Sequence, residues 1–163
     1  MKFVYQVNRE IVRGKHVYRK EDYAFDFLPA SIEQLEHLIG SLSVASVSVD
    51  ELQIEMDVQT GRLLYAWGYC PWFPWKETDM SPGEQIIDGA VFVLGHGLDK
   101  GAHRHIPPVN GEWRFIHNRS TGWVSAVGTK DTSADILVRI ADGCILGLKG
   151  SALSILWIHP ETE

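Results

Sequence analysis

Apolar and polar residues alternate most strictly in Glu51-Leu52-Gln53-Ile54-Glu55-Met56-Asp57-Val58. On a strand this pattern sets Leu52, Ile54, Met56 and Val58 on one face and Glu51, Gln53, Glu55 and Asp57 on the other. Gln59-Thr60-Gly61 suits a tight loop in which Gly61 takes a positive φ, and residues 62–69 return as the partner strand. Alternating or Val/Tyr-rich runs predict further strands over residues 2–8, 11–19, 23–27, 86–94, 113–118, 123–127, 136–140, 144–148 and 153–159. The first two read as an opening hairpin, 113–118 with 123–127 as another, and the last three as a meander. The period changes once: after Pro29, Ser31 and Gln34 form a capping-box pattern, and Ile32, Leu35, Leu38, Ile39 and Leu42 recur at helical spacing, which predicts one helix over residues 31–42.

Two stretches carry neither period. Residues 70–83 hold three prolines, with two tryptophans in Cys70-Pro71-Trp72-Phe73-Pro74-Trp75, and proline at this density excludes the segment from a central ladder. Residues 96–110 form a second loop rich in Gly, Pro and His. Roughly ten short strands and one helix, without alternating βα units, predict a mainly β (α+β) fold: a curled antiparallel sheet or sandwich with the helix packed on it. A length of 163 residues suits a single globular domain over 1–163.

Composition narrows the partners. Twenty-one acidic against 15 basic residues give a net charge of -6, which repels phosphate backbones and argues against nucleic acid. Two cysteines, Cys70 and Cys144, are too few for a disulfide framework, no run approaches the length of a membrane span, and the first residues lack a secretory pattern. A cytoplasmic location without membrane association is the expectation.

Candidate chemistry is sparse. The chain contains no G-x-S-x-G elbow, P-loop, H-E-x-x-H, C-x-x-C or dinucleotide fingerprint, so no catalytic residues and no cofactor are expected. Cys70 with one of seven histidines offers a nucleophile and base, against the commoner reading of cysteine as a small buried hydrophobe. His103 and His105 would point the same way on an extended segment, with His96 nearby, which is a fragment of a metal-ligand set. Gly97 through His103 and His105 resembles the opening of the first cupin motif, which implies a metal-dependent enzyme. The motif's glutamate does not follow, since Glu112 comes too late, and its second half is absent downstream. The competing reading is a solvated connection.

Trp72, Phe73 and Trp75, led in by Tyr65, Trp67 and Tyr69, are residue types that anchor interfaces or stack on sugars, so a carbohydrate-binding module is another alternative. The competing reading is that they fill core. Glu51, Glu55 and Asp57 would present carboxylates roughly 7 Å apart, able to oppose a basic surface, or merely a solvated outer face.

The segment Met56-Asp57-Val58-Gln59-Thr60-Gly61-Arg62-Leu63-Leu64-Tyr65-Ala66-Trp67-Gly68-Tyr69-Cys70-Pro71 resembles a hairpin recurrent in bacterial immunity proteins, the partners of polymorphic or contact-dependent growth-inhibition toxins. That resemblance implies a non-catalytic inhibitor that neutralises a cognate toxin domain by binding it. A toxin acting on nucleic acid would be basic, and Glu51, Glu55, Asp57, Trp72 and Trp75 are the residues expected to meet it.

Overall fold

The computed structural model describes residues 1–40 and 43–161. Two sheets pack face to face. One holds, in spatial order, β1 (Lys2–Val7), β8 (Ile86–Leu94), β12 (Ile136–Ala141), β13 (Cys144–Lys149), β14 (Ala152–Ile158), β11 (Val124–Gly128), β10 (Trp113–His117) and β7 (Lys76–Glu77). The other runs β15 (Pro160–Glu161), β2 (Gly14–Arg19), β3 (Ala24–Pro29), β6 (Leu63–Tyr69), β5 (Leu52–Asp57), β4 (Val44–Val49) and β9 (His103–His105). This is an open α+β sandwich. Its sheets are mixed, because β8·β12, β7·β10, β4·β9 and β2·β15 pair in parallel, where the sequence predicted antiparallel neighbours only. The expected hairpins β5/β6 and β10/β11 and the meander β12/β13/β14 are present.

The main core lies between the layers, where β6 packs against β8 and β12 and buries Leu64 and Ala66 against Val91, Val138 and Ile140. The opposite face of the eight-stranded sheet holds a second apolar cluster of Ile116, Val127, Ile145, Ile155 and Trp157, with Met80 and Trp123 packed over it. Burial on both faces explains why 144–148 and 153–159 read as nearly unbroken apolar runs.

The opening hairpin does not form. β1 pairs with β8 and β2 pairs with β3, so the two belong to different sheets. Asn8, at φ 57°, turns the chain out of β1, and the link then carries Ile11 and Val12 into the interior, where the Val12 N–H donates to Ile140. Ile11 and Val12, expected to open the second strand, instead anchor a crossing between layers before that strand begins at Gly14.

The helix α1 spans Ile32–Leu38, shorter than predicted. Ser31 caps it by accepting from the Gln34 N–H. The Gln34 side chain does not close a capping box. It donates to Ile11 O and accepts from Arg13 N, fastening the helix to the crossing segment. Leu35, Leu38 and Ile39 pack on the core, the backbone is already extended at Ile39, and the predicted end at Leu42 lies outside the described residues.

His16, 1% exposed, links the layers. Its Nε2 lies 3.0 Å from Ala66 O in β6 and its Nδ1 3.1 Å from Asp142 O in the β12–β13 turn. Burial pushes its pKa from 6.5 down to about 4, and the two carbonyls and the Asp142 carboxylate pull the other way. Neutral, the ring has one N–H to donate and satisfies one carbonyl; a proton would satisfy both but charge a dry site. Between pH 6.5 and about 4 the unfolded chain holds a proton here that the native state does not, so this contribution is complete above pH 6.5 and lost as pH falls toward 4. From pH 7 to 4.5, urea unfolding of the wild type should lose about 2 kcal/mol more than that of His16→Gln. Parallel pH profiles for the two proteins would refute this role.

Candidate partner-binding surface

The surface begins with two turns that meet at one end of the sandwich. Lys20–Asp22 forms a short 3-10 turn that ends on Tyr23 in the left-handed region (φ 53°), which directs that ring outward before β3 begins. β3 pairs with the end of β6 through Ala24 opposite Tyr69, and the Cys70 N–H donates to Tyr23 O at 2.7 Å. This brings the proline-rich loop against the 3-10 turn. Phe73 packs edge-on to Tyr23 at 5.8 Å and to Trp72 at 6.2 Å, and Lys20 Nζ lies 4.3 Å from the centre of the Trp72 ring. Tyr23, Tyr69, Trp72 and Phe73 remain 39%, 46%, 41% and 64% exposed, which leaves four large aromatic residues partly in water at a single end of the molecule.

Carboxylates rim this cluster. Glu21 and Asp22 share a recess with Tyr23 and Trp72. The β4–β5 turn brings Asp50 and Glu51 toward Cys70, and Glu51 lines a depression with Tyr69. All four acids are exposed, and none forms an ion pair with a described residue. Beside the aromatic end, between β2 and β10, opens a cleft of about 370 Å³. Trp75 lies in that cleft, ringed by Tyr18 at 5.0 Å, Phe25 at 5.9 Å and His117 at 5.4 Å. Burial and the neighbouring Arg119 hold His117 below the ordinary imidazole range, and Glu77 partly opposes them.

The predicted binding residues therefore divide. Glu51 and Trp72 both lie at the surface. Trp75 is half-buried and packs against the main core. Glu55 sits at the register shift between Ile54 and Met56, half-buried and hydrogen-bonded to Tyr65; burial raises its carboxyl above the usual range and the tyrosine pulls it back in part. Asp57 is 0% exposed and is a correction to the expected acidic row. Its Oδ2 accepts from Thr60 Oγ1 at 2.6 Å, Thr60 N at 3.3 Å and Gly40 N at 3.1 Å, so it closes the β5/β6 loop instead of facing a partner. Strict alternation placed it outside, but the strand ends there and the chain folds back over its carboxylate.

The histidines separate in the same way. His96 Nδ1 accepts from Leu98 N at 2.9 Å, which fixes the tautomer and leaves Nε2–H to donate to Val58 O at 2.9 Å. It staples its own loop. His103 and His105 do point to one side, with rings 4.8 Å apart at 87°, but three of their four ring nitrogens contact Ser46 and Ser48 hydroxyls. Among the described residues, no group of three or more His, Cys, Asp or Glu side chains is placed to hold a metal ion. Cys70 and Cys144 are buried and unbridged, and burial pushes both thiols up to about 12, so neither is a nucleophile at neutral pH. No helix among the described residues is long and apolar enough to cross a membrane.

Sequence reasoning missed Tyr23, Glu21, Asp22 and Asp50. A charged run just before an alternating strand marks a turn, and an aromatic at its last position was the available signal. The chain matches no protein-family model, and no curated protein matches it.

Proposed function

We propose that this protein is a non-catalytic inhibitor of the immunity type, which neutralises a cognate toxin domain by covering it with its aromatic, acid-rimmed end. The observation that carries this reading is the joining of Tyr23, Tyr69, Trp72 and Phe73 into one exposed cluster bordered by Glu21, Asp22, Asp50 and Glu51. Aromatic anchors inside a polar rim are the usual composition of an energetic hot spot, and unpaired carboxylates around them favour a basic partner and speed its approach. The resemblance of the β5/β6 hairpin to immunity proteins supports the same reading, as do the high thiol pKa values, which leave neither cysteine activated. Two buried, unbridged cysteines suit work in the cytoplasm.

An immunity gene lies beside the 3′ end of its toxin gene. Expressing the toxin domain encoded there should arrest growth, and this chain should restore growth and co-purify with the domain at equal stoichiometry. Absence of an adjacent toxin domain, or growth arrest that this chain does not relieve, would overturn the proposal.

A further inference from the structure

Next to the aromatic end, the exposed face of the seven-stranded sheet forms a trough. The register builds it strand by strand. Gln53 of β5 lies opposite Trp67 of β6 and opposite Ser48 of β4, and Ser46 and Ser48 lie beside His103 and His105 of β9. Ser46 lines the trough, while Ser48 is fully buried beneath the histidine rings. Tyr69, Gln53 and Glu51 line one wall, and His103 and His105 line the other.

The histidine wall is held in place before any ligand arrives. His103 Nδ1 lies 3.0 Å from Ser46 Oγ and its Nε2 3.1 Å from Ser48 Oγ, which in turn lies 2.6 Å from His105 Nδ1. The one ring nitrogen left over is His105 Nε2. Burial, and His105 beside it, lower the pKa of His103. The opposite wall is open to a ligand: the half-buried Gln53 amide makes no hydrogen bond with a described residue, Glu51 has no cationic partner among them, and nearly half of Tyr69 is exposed. No lysine or arginine lines the trough.

We propose that this trough receives one arginine side chain from a basic partner, with the guanidinium lying against the Tyr69 ring, paired with the Glu51 carboxylate and donating to the Gln53 carbonyl oxygen. A planar guanidinium suits this wall better than an ammonium, because it stacks on an aromatic face while its edge still reaches a carboxylate and an amide oxygen. The proposal takes from the proposed function only that the partner is basic.

It is tested without that partner. The isotope-labelled protein is titrated with a capped Gly-Arg-Gly peptide, with Gly-Lys-Gly for comparison, while NMR follows the backbone amides and the imidazole groups. The arginine peptide should give saturable shifts confined to Glu51, Gln53, Tyr69, His103 and His105, at least fivefold tighter than the lysine peptide and weakened at least tenfold by Glu51→Gln. Absence of shifts, or shifts spread over all exposed carboxylates and insensitive to both the lysine swap and Glu51→Gln, would overturn it. That failure would leave the aromatic end untouched, since Trp72 and Phe73 lie outside the trough and are tested on the toxin itself.

Discussion

Replacing Asp57 with lysine should prevent the protein from folding, although Asp57 reads from the sequence as a surface acid. The carboxylate is fully buried and gathers donors from both the hairpin loop and the segment after α1. Hydrogen bonds to a buried ionised group contribute about 1.5–3 kcal/mol each, and donors stripped of their acceptor keep the cost of their own dehydration. Lysine has no acceptor and would set a second cation near Arg62, whose guanidinium is already destabilised by burial and feels Asp57 as a compensating charge. Asp57→Asn keeps one acceptor oxygen for Thr60 and should cost about 1–2 kcal/mol, and Asp57→Ala about 3 kcal/mol or more. Urea unfolding curves rank the three. A folded Asp57→Lys protein of near wild-type stability would show that the carboxylate is not structural. For the same reason a charge reversal at this position reports on folding and cannot report on binding.

What the sequence revealed, and what it hid, follows from the range of the interactions involved. The β5/β6 hairpin was legible because its pattern, loop and pairing are all local, and Gly61 does take a positive φ (77°) where its carbonyl accepts from Val93 of the other sheet. α1 was legible from Ser31 and its apolar spacing, but not its length, which is set where the chain must leave for β4. β1 was misassigned because its partner lies more than eighty residues away in β8, and no local pattern names a distant partner. Of the candidate surface, Trp72 and Glu51 could be placed because a proline-rich loop and a turn are exposed by their chemistry. Asp57 was lost because alternation assumes a strand that continues. Asp57-Val58-Gln59-Thr60 carries the alternative signal, an aspartate positioned to accept from the residue three places on. The acidic rim arises from two turns, Glu21-Asp22 and Asp50-Glu51, which the β3·β6 and β5·β6 pairings together bring to one end.

If the aromatic end is the binding surface, removing its rings should release the partner. Phe73→Ala and Trp72→Ala each delete a large ring that is anchored by the fold yet open to solvent, so each should cost on the order of 2 kcal/mol or more in binding, roughly a thirtyfold weaker Kd. Neither ring is part of either core cluster, so stability should change little. Trp75→Ala should instead destabilise the fold, since that ring stacks on Phe25 and packs against the core. Glu21→Lys should slow association severalfold at low salt and leave dissociation nearly unchanged, because a rim charge acts mainly on encounter. The most direct measurement is the dissociation rate of the complex with the neighbouring toxin domain, for wild type, Phe73→Ala and Trp72→Ala, after thermal melts have shown the variants to be intact. The account predicts dissociation at least tenfold faster for both; rates within twofold of wild type would place the binding surface elsewhere on the molecule.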